Sequence, residues 1–540
     1  MVTMGSGAMT NPIPDLGKAT CLLIIGSNLT ENHPIISQWV WDAKENGAKI
    51  IVADPRYTPT AWMADIFLQL TPGTDIALLN GLIHVIFKEK LYNQDFISRR
   101  TTGFVQLQEA VAEYDPPMVE KITGVPPSLL QEAARVYAKA EAAGILYCMG
   151  ITQHTCGHDN VLDCSNLALL CGQVGRPGTG VLPLRGQTNV QGACDMGALA
   201  GFLPGYIHVA DPKGRERIAR LWGREDLPGQ PGFTVVEMMN AAAEGKIKGM
   251  YILGENPMVS DPHSHHVEEA LKKLDFLVVQ DMFLSETAQL AHVVLPAASW
   301  AEKEGSLTNT ERRIQWANRA IRPMDETKAD WQVISLVANQ LGFPYAYACP
   351  DDILREINKV IPAYAGITPE RIKGLMGGLT WPCPTPDHPG TPILHTETFR
   401  TQDGLGKFIP VRHQPPAEPT DDEYPLLLTT GRVVMHYNTG SMTRRSAALL
   451  KRSQEPFVEV HPSDAQKLGI TSNEEVKITT RRGDTLAKAS ITQKLSPGVV
   501  FMPFHFPGAN ILTVDALDKT AKIPEFKVAA CKITKNPSKG

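Results

Sequence analysis

Cys21-Leu22-Leu23-Ile24-Ile25-Gly26-Ser27-Asn28 is an apolar run that stops at a glycine and two small polar side chains. A run bounded this way reads as a strand buried on both faces, ended by a turn suited to a residue without a Cβ. A helical stretch follows from about residue 33 to 46, and a second run, Lys49-Ile50-Ile51-Val52-Ala53, stops at Asp54. The same order returns far along the chain. Gly249-Met250-Tyr251-Ile252-Leu253 leads into Gly254-Glu255-Asn256, a helical stretch from about 264 to 274, then Phe276-Leu277-Val278-Val279-Gln280 and Asp281. Glycine and acid stand 28 residues apart in the first copy and 27 in the second. One strand–helix–strand unit is thus used twice. Parallel strands joined by helices make a doubly wound sheet, whose ligands sit beyond the carboxyl ends of the strands.

Working outward, a third run from Ala64 to Leu70 precedes Thr71-Pro72-Gly73-Thr74-Asp75, and Ile76, Leu79, Leu82, Ile83 and Ile86 then form one helical face. Ile145 to Met149 returns to strand and gives way to Gly150 and Gln153. Between the two copies lies Pro183-Leu184-Arg185-Gly186-Gln187-Thr188-Asn189-Val190-Gln191-Gly192-Ala193-Cys194-Asp195-Met196-Gly197. It has no hydrophobic period and reads as an ordered loop. Its amides and glycines suit a large polar heterocycle and its single guanidinium suits a carboxylate, while a plain polar turn between domains is the alternative. From Tyr424 the texture changes to short alternating runs, Leu426–Thr430, Phe457–Val460, Glu475–Thr479, Ala487–Ile491 and Gly498–Met502, which indicate a compact β-barrel. The fold expected is α/β: two doubly wound nucleotide-binding lobes at 1–187 and 188–300, a small α/β and connecting region at 301–420, and a C-terminal β-barrel at 421–540.

Composition narrows the function. With 540 residues, 43% of them hydrophobic, the chain can bury several cores. Its net charge of −5 and lack of long basic runs exclude nucleic acid as an expected partner. No apolar stretch reaches the roughly 18 residues that span a bilayer, so direct membrane insertion is not expected and a cytoplasmic location is. Nine cysteines without a Cys-x-x-Cys pair give no disulfide framework and no cluster or structural-metal motif, and no metal ligand is assigned. His154, Cys156 and His158, and His263, His265 and His266, are the two weak metal alternatives. Asp54 and Asp281 stand where the acid of a nucleotide-binding unit takes ribose hydroxyls, but neither turn has the Gly-x-Gly-x-x-Gly of nicotinamide and flavin sites. Two such degenerate units suggest a cofactor with two nucleotide arms; two lobes without nucleotide is the alternative.

The loop from Pro183 to Gly197, the entry Gly26-Ser27-Asn28-Leu29-Thr30-Glu31-Asn32-His33-Pro34, the element Ala53-Asp54-Pro55-Arg56, and Val294-Leu295-Pro296-Ala297-Ala298-Ser299-Trp300-Ala301-Glu302-Lys303-Glu304-Gly305 together resemble the molybdopterin oxidoreductases, most of all their molybdenum- or tungsten-dependent formate dehydrogenase branch. The resemblance covers nearly the whole chain. It implies a bis-molybdopterin guanine dinucleotide bearing Mo or W. Carried over by position, Gly26, Asn28, Asp54, Arg56, Gly73 and Asp75 would hold one guanosine arm, and Gly254, Glu255, Asn256, Asp281 and Thr287 the other. Met149, Gly150, Gln153 and Gln187 would lie along the pterins. Thr430, Arg432, His436, Ser441, His505, Asn510 and Lys527 of the barrel would close over them, with a solvated surface as the alternative for His505 and Lys527. Arg185 would stand beside formate. A permanently charged fork can orient a carboxylate for C–H cleavage without taking a proton.

The resemblance also implies iron–sulfur or diaphorase/hydrogenase electron-transfer subunits as partners. A [4Fe–4S] cluster and a selenocysteine or cysteine metal ligand would belong to a preceding segment, because Gly5-Ser6-Gly7-Ala8-Met9-Thr10-Asn11 resembles the family's residues just after that ligand. A selenocysteine codon read as a stop is the expected origin, and little turnover is expected of the chain by itself. A nitrate reductase or a pterin-free scaffold subunit of an electron-transfer complex are the rival readings.

Overall fold

The computed structural model describes residues 1–536 and divides by internal contacts into two units. The first comprises residues 1–184, 261–264 and 393 onward. Its centre is a five-stranded parallel sheet in the order Ile66–Leu68, Lys49–Ala53, Cys21–Ile25, Ala143–Tyr147, Gly180–Pro183. Alternate residues of Cys21–Ile25 serve opposite faces. Leu23 and Ile25 pack with the helices Asp75–Lys88, Pro127–Lys139 and Gly157–Leu170, whereas Leu22 and Ile24 pack with Pro34–Glu45. Helices on both faces explain why that strand carries no polar residue at all, since each buried aliphatic contributes about 1.5–3 kcal/mol. From Cys21–Ile25 the chain first builds outward to one side and then crosses to Ala143–Tyr147 on the other. That reversal of strand order is where open α/β sheets leave a crevice for ligands.

The rest of the first unit includes a closed six-stranded barrel in the order Leu426–Gly431, Val499–Pro503, Phe457–Val460, Gly483–Ile491, Glu475–Thr480, Ala529–Lys535. Five of these are the strands expected from sequence. The sixth, Ala529–Lys535, closes the barrel by pairing antiparallel with both Leu426–Gly431 and Glu475–Thr480. Val458, Val476, Ile478, Val500, Met502 and Ile533 fill its interior.

The second unit, residues 185–260 and 265–392, contains the second copy of the repeat. Val293–Pro296, Phe276–Asp281 and Gly249–Leu253 form a three-stranded parallel sheet. Ile252, Leu277 and Val279 pack with Met239 and Ala242 of the helix Val235–Ala243 and with Val267, Ala270 and Leu271 of Ser264–Lys272. An antiparallel sheet of Gly305–Thr308, Arg313–Ala317 and Leu379–Thr380 and the helices Asp330–Gln340 and Pro350–Val360 belong to the same unit. The contact boundaries therefore differ from the sequence partition: the region after residue 300 clusters with the second lobe as far as 392, and the barrel clusters with the first. The amide-rich stretch also differs from an all-loop reading, because Val190–Asp195 forms a short helix entered through Asn189 at φ +64°.

Candidate functional site

At the strand reversal of the first unit, two glycines meet. Gly26 ends Cys21–Ile25 at φ +58°, and its carbonyl accepts from the Gly150 N–H at 3.0 Å. A Cβ on Gly26 would stand 2.7 Å from the Gly150 carbonyl carbon, and one on Gly150 would stand 2.6 Å from the Gly26 Cα. Only two residues without side chains can approach this closely. Ser27, next in the turn, has a buried Oγ with no hydrogen-bond partner among the described residues.

Around this turn the first lobe and the barrel bring together charges that sequence separates by hundreds of residues. Lys527 is buried, and its ammonium donates to the Thr430 carbonyl at 2.9 Å. Burial, against the opposing pull of Cys148 and Asp54, lowers its pKa to about 8. Asp54 accepts from the Arg56 N–H at 2.9 Å, and burial lifts it to about 6 despite Arg56 and Lys527. Arg432 is half-buried, over the Tyr437 ring, and its Nε has no partner among the described residues. Burial, opposed by Tyr437 and Cys148, lowers its pKa. A third group lies deeper: His154 Nδ1 is 2.8 Å from Glu525 Oε1, and its Nε2 is 2.9 Å from the Gly150 carbonyl and 3.8 Å from Asp75. Burial disfavours the imidazolium, but Glu525 and Asp75 outweigh it and raise the pKa. Asp75 is itself pushed up by burial. Glu525 also accepts from the Thr155 N–H and hydroxyl at 2.9 and 3.0 Å, fastening the segment after Gln153 to the barrel. Neither Glu525 nor Cys148 stood out in the sequence, since a lone acid and a lone thiol carry no pattern.

The other first-unit residues divide by what they touch. Arg56 is 7% exposed, grips Glu459 through Nε and Nη2 at 2.6 and 2.8 Å, and lies over the Phe501 ring, so its fork is committed to the barrel. Asn28 bonds Glu31 and accepts from Thr60. Gly73 takes φ +83° just before the helix that Asp75 opens. Met149 is exposed, and Gln153 is half-buried, its side chain without a hydrogen bond to the described residues. His436 and His505 are buried, so the solvated alternative fails for His505 as it does for Lys527. His505 accepts from the Val433 N–H at 2.8 Å through Nε2, and burial lowers its pKa to about 4. With His436, which spans Thr443 Oγ1 and the Ser453 carbonyl, it shapes the loop that carries Arg432. Thr430 donates to the Phe526 carbonyl, Asn510 is buried, and Ser441 is half-buried.

The second unit repeats the turn. The Gly254 N–H donates to the Gln280 carbonyl at 2.9 Å, as that of Gly26 does to Ala53 at 3.0 Å, and Gly254 takes φ +64°. A Cβ there would meet nothing within 4 Å, so the strand end is open. Asn256 Oδ1 accepts from the Thr287 N–H and hydroxyl at 3.1 and 2.7 Å, and Asp281 accepts from the N–H groups of Met282 and Phe283. Glu255 is exposed and accepts from Ser260. Asn256 and Thr287 therefore tie the two strand-end turns together, while Gly254 and Glu255 are left facing outward. Arg185 is held by its own N–H to Thr310 Oγ1 at 3.1 Å and by Nη1 to Cys194 Sγ at 3.4 Å. Gln187 is exposed at the loop tip.

Phosphate-bearing groups fit each unit by itself: the first offers the orphaned Ser27 hydroxyl, the Arg432 Nε unpartnered among the described residues and the Lys527 cation, and the second offers the open Gly254 turn. The weak metal sets do not converge, since His154 faces Glu525, Cys156 Sγ donates to Asn160 Oδ1 at 4.0 Å and His158 lies beside Asp159; no group of three candidate ligands gathers among the described residues. A buried lysine whose burial outweighs the pull of the nearby Cys148, Asp54 and Glu525 carries a measurable cost. Its folded pKa of about 8 lies below the ordinary value of 10.5. Stability should then rise with pH between those values and carry the full penalty, about 3 kcal/mol, below pH 8. Melts of the cofactor-free chain at pH 7 and pH 10, compared with Lys527→Met, should show that slope in the wild type and lose it in the variant; equal slopes would contradict it.

The molybdopterin oxidoreductase family model matches residues 3–340, and the molydopterin dinucleotide binding domain matches 426–530. The chain is 52% identical over 535 residues to the F420-dependent formate dehydrogenase 1 subunit alpha of Methanococcus maripaludis, covering 98% of this chain and 78% of that protein. It is likewise 52% identical over 533 residues to the F420-dependent formate dehydrogenase subunit alpha of Methanocaldococcus jannaschii, at the same coverage. Acetylene hydratase from Pelobacter acetylenicus shares the fold, with a TM-score of 0.79 and 22% identity over 99% of this chain and 80% of that one. No helix among the described residues is long and apolar enough to cross a membrane. With twin glycine turns, a barrel that sets cations at one of them, and matches over both parts, the chain belongs to the molybdopterin oxidoreductases and serves a molybdopterin cofactor.

Proposed function

We propose that this chain is the catalytic subunit of a formate dehydrogenase working at a bis-molybdopterin guanine dinucleotide with Mo or W. The observation that carries the reading is the 52% identity, over 98% of the chain, to formate dehydrogenase alpha subunits. The chemistry of the Arg185 loop agrees with it. Formate oxidation yields CO₂, one proton and two electrons. The cofactor supplies the acceptor for the electrons that leave the C–H bond. The chain's own residues bind and orient. Gly26 with Ser27, Asp54, Lys527 and Arg432 would hold one dinucleotide, and Gly254 with Glu255 the other, on turns kept in shape by Gly150 and by the Asn256–Thr287 bond. Arg185 pairs its planar fork with both oxygens of formate, which fixes the direction of the C–H bond and cannot remove the proton itself. Electrons then pass to iron–sulfur and electron-transfer subunits, and the names of the two relatives make F420 the acceptor to try first.

The test is formate-dependent reduction of a viologen dye and of F420 by the cofactor-loaded protein, with metal and guanine analysis of the same sample. Formate oxidation with about two guanines per metal supports the reading. Nitrate reduction without formate oxidation, or no guanine in a protein that folds normally, ends it.

A further inference from the structure

Behind the Arg185 loop sits a carboxylate that the formate chemistry does not use. Asp195 ends the helix Val190–Asp195 and is 2% exposed. Its Oδ1 accepts from Gln191 Nε2 at 2.8 Å and the Tyr206 hydroxyl at 2.9 Å, and its Oδ2 accepts from the Tyr364 hydroxyl and from Trp381 Nε1 at 2.8 Å. Four donors on one buried side chain suit a carboxylate, which only accepts. They come from three places in the sequence: the loop itself, the turn at 206, and the segment 364–381.

The same hub is wired to the arginine from two sides. The Tyr364 hydroxyl is 3.1 Å from Thr308 Oγ1, the Thr308 N–H donates to Asn189 Oδ1 at 2.8 Å, and Thr310 holds the Arg185 N–H. A Cβ on Gly192 would stand 2.2 Å from Asn189 Oδ1, so the helix and the loop before it interlock. On the other side Cys194, the neighbour of Asp195, touches the Arg185 fork directly. The fork is therefore placed by its main chain and by its tip, and both routes end on Asp195.

We infer that Asp195 is a positioning residue for Arg185, holding the guanidinium at the angle that two-point pairing with a carboxylate substrate requires. The inference rests on the proposal that Arg185 receives formate. It goes beyond that proposal by making the formate affinity depend on a side chain that never touches formate. Asp195→Asn keeps the shape. Trp381 Nε1 can only donate, so oxygen must stay on that side, and the new amide turns toward Gln191 and Tyr206 and loosens the loop end.

The experiment uses the cofactor-loaded enzyme. Asp195→Asn should raise the formate KM at least fivefold with a smaller change in kcat, at unchanged metal and guanine content. In an Arg185→Lys background the same substitution should change KM by less than twofold, since a residue that acts through the fork has nothing left to place. Amide exchange of residues 186–194 should be faster in Asp195→Asn than in wild type. An unchanged KM, an equal effect in both backgrounds, or unaltered exchange would each overturn the inference. Should Asp195→Asn not fold, Tyr206→Phe and Tyr364→Phe each remove one donor and carry the same comparison. If the wild type itself leaves formate untouched, the substrate reading has failed, and the exchange measurement still decides whether Asp195 orders the loop.

Discussion

Replacing Arg185 by alanine should lower kcat/KM for formate by a factor of about 10²–10⁴. Two parallel charge-assisted hydrogen bonds are worth about 1.5–3 kcal/mol each, and a factor of ten in rate corresponds to about 1.4 kcal/mol. Formate has only three heavy atoms, so almost all of its recognition falls on its carboxylate. Arg185→Lys should recover the charge but not the fork, leaving affinity partly restored and the C–H bond poorly aimed, so kcat should recover less than KM. Metal and guanine content should match wild type in both variants, since Arg185 is assigned to the substrate while the strand-end turns are assigned to the dinucleotides. Wild-type kcat/KM in Arg185→Ala would remove Arg185 from the site.

How much of this was legible in the sequence depends on the range over which each feature is set. The repeat was legible because both first strands are continuous apolar runs, Cys21–Ile25 buried on both faces and Gly249–Leu253 sealed only at Ile252, and each ends at a glycine that takes positive φ. Five barrel strands were legible through alternation, but Ala529–Lys535 begins Ala-Ala-Cys, small residues with weak strand preference that are recruited by pairing with two neighbours. The helix at Val190–Asp195 was hidden because its stability comes from what Asp195 gathers, not from an apolar face. Among site residues, the family-matched positions marked segments but could not say which side chains are already engaged within the protein. Arg56 and Asn256 turned out to be engaged within the protein, and the partners of Lys527 and His154 lie too far along the chain for any local pattern to join them. Gly254 is the opposite case: its role follows from backbone alone, and backbone is what a glycine in a turn announces.

The committed state of Arg56 leads to the second large effect, on the union of first lobe and barrel. Its fork and the Glu459 carboxylate are both nearly sealed from water, at 8% and 5% side-chain exposure. The barrel main chain follows it in: the Tyr57 N–H donates to the Lys494 carbonyl at 2.7 Å, and Gln69 Nε2 donates to the same carbonyl at 3.1 Å. Removing one partner strands the other charge, and breaking a buried pair in this way costs about 3–5 kcal/mol. Arg56→Ala should therefore lower the denaturation midpoint markedly, and Glu459→Ala similarly, with Lys494 at 3.7 Å softening the first by remaining near the abandoned carboxylate. The double variant Arg56→Met/Glu459→Leu should recover most of the loss, since the desolvation penalty disappears together with the attraction. The cofactor effect separates two roles for Arg56. If it acts through the barrel, the recovered double variant binds guanine dinucleotide as wild type does, because the barrel segments bearing Arg432 and Lys527 are back in place. If the double variant is stable yet empty, Arg56 touches the guanosine arm itself, and its grip on Glu459 gives way when that arm is bound.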